Sequence, residues 1–169
     1  MTARPTDSWR QAIAEEAREL AAGELDPECA GASESYPEPM LADTDEVLLT
    51  FEADLSALAK PTDEAVLDVI KHVVLALNKV NAHHEGAYQT DEREALCMYI
   101  DRTLVHAGID VAALATRRGL HRYEITDRLA HLVKPDANSS FAQGRVPDAC
   151  QIERRSAVNH GDSRSLGRR

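Results

Sequence analysis

The chain has 169 residues, 43% of them hydrophobic but only 4% aromatic, so it has room for one domain with an aliphatic core. Its net charge of −10 disfavours contact with a phosphate backbone over most of the surface. No stretch approaches the roughly 20 apolar residues of a membrane-spanning helix, and the N-terminus lacks the basic, apolar and small-residue series of a secretory signal.

Asp7 to Gly23 reads as a first, acidic helix, with Trp9, Ile13, Ala17 and Leu20 at helical spacing and Gly23 as its stop. Residues 23–43, GELDPECAGASESYPEPMLAD, hold three prolines and two glycines without periodicity, and read as a linker or a surface wrap. From Thr44 the pattern tightens. Leu48, Phe51, Leu55 and Leu58 step by three, four and three, which predicts a helix over 45–59. Lys60-Pro61 ends it, because the residue before a proline is pushed out of the helical region. Thr62 caps the next helix, 63–81, with Asp63 and Glu64 suited to the positive end of its dipole. Its stripe of Val66, Val69, Ile70, Val73, Val74, Leu77 and Val80 is the widest in the chain and marks the central helix.

A third main helix, 91–107, presents Leu96, Tyr99, Ile100, Thr103 and Leu104, with Gly108 as its stop. Short helices follow at 110–118 and 123–132. After Pro135 the chain has few large apolar residues and repeated arginine, and residues 134–169 read as a disordered basic tail. The expected fold is therefore all-α. It is a small bundle of three main helices with two short C-terminal ones, divided into an acidic helix and linker (1–43), a helical domain (44–133) and the tail.

The charge is uneven. Residues 1–43 carry ten acids against three bases, residues 44–109 twelve against five, residues 110–133 three against four, and residues 134–169 four against seven. Cys29, Cys97 and Cys150 form no C-x-x-C and no paired framework, which suits free thiols in a reducing cytoplasm.

The densest polar stretch is NKVNAHHEGAYQTDERE, residues 78–94. His83, His84, Glu85, Asp91 and Glu92 are residue types that bind zinc or iron. Neighbouring side chains on a helix point about 100° apart, so His83 and His84 are not expected to converge, and no metal or other cofactor is expected. The stretch reads instead as a connection between two helices. Asn81 closes the central helix, Gly86 reverses the chain, and Thr90 with two acids opens the next. As a protein-binding rim it offers Asn78, Asn81, His84, Glu85, Asp91, Glu92 and Glu94. Glycine-rich phosphate loops and G-x-S-x-G are absent, Ser56 has no near base, and Cys97 lies between Leu96 and Met98 as a packing residue.

Residues 111–132, VAALATRRGLHRYEITDRLAHL, resemble a helix-turn-helix. Ala115 and Gly119 stand four apart, as the motif's first-helix alanine and turn glycine do, and Leu120 and Ile125 fall at its usual core positions. Arg128 occupies a position that the motif usually keeps apolar. The resemblance implies a DNA-binding regulator whose phosphate and groove contacts come from Arg117, Arg118, Arg122 and Arg128. The sequence as a whole points first elsewhere, to a non-enzymatic, cytoplasmic interaction module. Such a module presents carboxylates to a basic protein partner, in the manner of an inhibitor or immunity protein. A third reading is a metalloenzyme whose histidines are gathered from separate helices by the fold.

Overall fold

Prolines open two of the helices rather than breaking them. The computed structural model describes residues 3–59 and 61–120. In chain order it holds α1 (Pro5–Ala22), one turn of 3-10 helix (Pro27–Cys29), α2 (Ala32–Ser35), α3 (Glu38–Ala57), α4 (Asp63–His83), α5 (Thr90–His106) and α6 (Val111–Arg117). The described residues contain no strand, so the fold is all-α. Pro5 is the first residue of α1, and Pro37 and Pro39 flank the first residue of α3. The leading N–H groups of a helix lack an intrahelical acceptor, so proline loses nothing there and its fixed φ suits the turn.

That placement moves an expected boundary. The helix expected to begin at residue 45 begins at Glu38, and Met40 and Leu41 within its first turns are completely buried. The division at residues 43 and 44 therefore falls inside α3. The helix expected at 63–81 runs two residues further, to His83, and the one expected at 91–107 is Thr90–His106. Residues 123–132 and 134–169, expected as a last helix and a basic tail, lie outside the described residues.

The core is largely aliphatic, as the composition demanded, with Phe51 buried among the aliphatic side chains. Leu48, Phe51 and Leu55 of α3 meet the stripe of α4, from Val66 through Ile70 and Val73 to Val80, across the largest helix–helix contact of the fold. From α5 and α6, Leu96, Ile100, Leu104, Val111 and Leu114 join the same cluster. α1 lies on α2, α3 and α5. Its Trp9 is 7% exposed and stacks on Tyr36, with ring centroids 5.6 Å apart and planes within 4°. Tyr88 closes the other side at 6.4 Å.

The irregular segment after α1 is pinned by one buried acid. Glu16 of α1 accepts the backbone N–H groups of Gly31 and Ala32 at 2.9–3.1 Å, so its carboxylate occupies the N-terminus of α2. Gly23 takes φ +71°, which lets its N–H turn back to the carbonyls that end α1.

Candidate functional site

A groove of about 470 Å3 opens between α3 and α4. Its floor is apolar: Val47 and Phe51 of α3 against Val69, Val73 and Val80 of α4. Its α3 side carries Asp43, Glu46, Thr50 and Asp54, spaced three, four and four along the helix, which places them on one face. His72 of α4 faces them across the opening. Glu46, Asp54 and His72 are exposed. Among the described residues the carboxylates of Glu46 and Asp54 take part in no ion pair. The groove thus joins an apolar bed to uncompensated negative charge.

One end of the groove meets the end of α4. His84 is the C-cap of α4, at φ −100° and ψ 37°, so it has left helical geometry while His83 has not. The expected 100° divergence of the two side chains does not hold across this break. Their rings stand edge to face with centroids 4.9 Å apart. His84 Nε2 hydrogen-bonds Asp43 Oδ2 at 2.8 Å, and against an ionised carboxylate the nitrogen is the donor. Asp43, His83 and His84 each bring one ligand-type atom within 4.8 Å of the other two.

The other expected rim residues separate. Asn81 Oδ1 accepts the N–H of Tyr88 at 2.8 Å, bridging the loop from inside. Asn78 is half-buried on α4, and its side-chain nitrogen is buried without a hydrogen-bond partner among the described residues. Glu92 is buried. It accepts the Gln89 N–H at 2.9 Å, capping α5, and the Tyr36 hydroxyl at 3.0 Å, so it is part of the frame rather than of a rim. Glu85 is exposed in the left-handed region at φ +56°, followed by Gly86 at +84°. Asp91 and Glu94 are exposed on α5 and do not line the groove. Of the seven residues, only His84 reaches the groove, through Asp43.

Sequence reasoning missed Asp43, Glu46, Asp54 and His72. The signal was present as acids at three- and four-residue spacing. It is masked because the apolar pattern starts the helix at 45 and leaves Asp43 outside it, whereas α3 begins at Glu38.

Two of the four helix-turn-helix arginines, Arg117 and Arg118, are engaged within the fold. Arg117 makes two hydrogen bonds of 2.7 Å to Asp63, and Arg118 makes one of 2.6 Å to Glu64. Both acids sit in the first turn of α4, so α6 is clamped to that end and its charge is compensated there. Arg122 and Arg128 lie outside the described residues.

A second cavity, of about 610 Å3, lies where the start of α1 meets α3 and α5. Its charged groups satisfy one another. Arg4 reaches Glu52 with two hydrogen bonds of 3.0 Å, and the Tyr99 hydroxyl donates to the same carboxylate. The Arg4 guanidinium holds Glu52 below the ordinary carboxylate range despite its partial burial. Burial, followed by the contact with Glu52, pushes the Tyr99 hydroxyl up. This network fastens the first residues of α1 to the bundle.

Cys97 lies half-buried on α5. No helix among the described residues is long and apolar enough to cross a membrane. Comparison with protein-family models, with curated proteins and with solved structures finds no match to this chain.

Proposed function

We propose that this chain is a non-enzymatic interaction module whose α3–α4 groove takes a basic, amphipathic helical segment of a partner protein. The observation that carries the reading is the groove itself. Val47, Phe51, Val69 and Val73 form an apolar bed, and Asp43, Glu46 and Asp54 form a carboxylate edge. A helix with leucines on one stripe and lysines or arginines beside it complements both features. Such helix-in-groove recognition draws affinity from the apolar anchors and orientation from the flanking charges. The net charge of −10 adds long-range attraction for a basic partner.

Duplex DNA is the weaker reading. Arg117 and Arg118 are engaged by Asp63 and Glu64, and freeing them would expose two acids beside the phosphates.

The test is fluorescence anisotropy with a labelled helical peptide carrying leucine on one stripe and lysine or arginine along its flanks, titrated with the full chain. Binding should weaken as salt is raised. It should be lost in the double variant Glu46→Lys, Asp54→Lys, whose side chains are exposed and whose exchange leaves the core intact. Absence of binding, or binding indifferent to that double variant, overturns the proposal.

A further inference from the structure

We propose that Asp43, His83 and His84 form a binding site for one divalent transition-metal cation, with zinc as its natural probe. The inference stands apart from the peptide reading of the groove, although Asp43 serves both. It rests on where three donors have been placed. Two imidazoles and one carboxylate, drawn from α3 and from the end of α4, bring ligand-type atoms within 4.8 Å of one another. Zinc bonds imidazole nitrogen and carboxylate oxygen at about 2.0–2.2 Å, so its tetrahedral ligands stand roughly 3.4 Å apart. His84 Nε2 and Asp43 Oδ2, at 2.8 Å, need only open slightly to admit the ion.

The surroundings permit that adjustment. His83 is exposed, and its ring can turn without disturbing the core. The His84 side chain is 15% exposed and already oriented by its contact with Asp43, whose own side chain is 45% exposed and open to solvent. Coordination through His84 Nε2 requires the neutral ring to carry its proton on Nδ1 instead, a change of tautomer that leaves Nε2 free to bond the cation in place of Asp43. Two nitrogens and one oxygen leave at least one coordination position for water. The ion would tie α3 to the end of α4, at one end of the groove. Because Asp43 stands 41 residues from His84 in sequence and meets the histidine pair only in the fold, binding is coupled to folding and raises the melting temperature.

The experiment is zinc titration by calorimetry on the untagged full chain, paired with thermal melts in zinc and in EDTA. Three proteins are compared: wild type, Asp43→Asn, and the double variant His83→Ala, His84→Ala. The expected result is one zinc ion per wild-type chain and a melting temperature higher in zinc than in EDTA. In Asp43→Asn, which keeps both histidines and the shape of the side chain, affinity should fall at least tenfold. In the double variant the uptake and the zinc-dependent shift should both vanish. The EDTA melts supply each variant's own baseline, so loss of folding is not mistaken for loss of metal. No saturable uptake by the wild type, or uptake retained in both variants, overturns the site. Neither outcome bears on the peptide titration, which is run in EDTA.

Discussion

Trp9→Ala asks whether the first forty residues belong to the folded unit. Trp9 is 7% exposed, stacked on Tyr36 and flanked by Tyr88. A tryptophan buries about 150–250 Å2, worth roughly 4–6 kcal/mol at about 25 cal/mol per Å2. Alanine retains part of that area, and the collar of Tyr36 and Tyr88 can settle partly into the space. The expected loss is therefore about 3–5 kcal/mol, the usual range for truncating a buried aromatic. For a fold of this size that lowers the melting temperature by roughly 10–15 °C. The assay is a far-ultraviolet circular dichroism melt of wild type and variant. Because Trp9 is the only tryptophan, its fluorescence in the wild type should also report the same transition as helix loss. Were residues 1–43 a separate arm, the substitution would change stability by less than about 0.5 kcal/mol. A melt unchanged within error, or tryptophan fluorescence changing well before helix content falls, would refute the reasoning.

Further outcomes follow from other parts of the structure. Ile70→Ala removes a fully buried side chain from the centre of α4 and should cost about 2–5 kcal/mol in a urea titration. The Glu52 pKa is lowered in the folded state, chiefly by Arg4, so its contribution to stability is present above the ordinary value of 4.5 and is lost as pH falls through the lower folded value. Stability measured from neutral pH into acid should accordingly fall less steeply in Glu52→Gln than in wild type. Burial pushes the hydroxyls of Tyr36 and Tyr88 up to about 12. They stabilise fully below the ordinary tyrosine value of 10, and that stability is lost as pH rises towards 12. Phenolate absorbance should thus lag the ordinary curve and rise together with the loss of helix.

The helices that sequence reading placed well are those whose stripes decide their burial by themselves. The seven apolar positions of α4 from Val66 to Val80 are all buried, and the Thr62 cap accepts the Ala65 N–H as its position implied. Asp110 likewise caps α6. What was hidden needed a partner distant in sequence. The segment 23–43 has no period because Glu16 and Trp9 supply its contacts from α1. Glu92 looked like a surface acid of a first helical turn, and only the Tyr36 hydroxyl, 56 residues away, reveals it as buried. The His83–His84 pair was judged by the geometry of a continuous helix, whereas α4 ends between them. The groove combines an apolar floor from two helices with acids from one, a juxtaposition that neither stripe states alone.

The most direct test of the groove is an amide chemical-shift map of the isotopically labelled full chain, recorded in EDTA while the basic amphipathic peptide is added. The account predicts shifts concentrated at Asp43, Glu46, Val47, Thr50 and Asp54 on α3 and at Val69, His72 and Val73 on α4. The outer face of α5, around Asp91, Glu94 and Met98, should stay quiet. Shifts centred on α5 or on α6, with the α3–α4 residues unmoved, would contradict it.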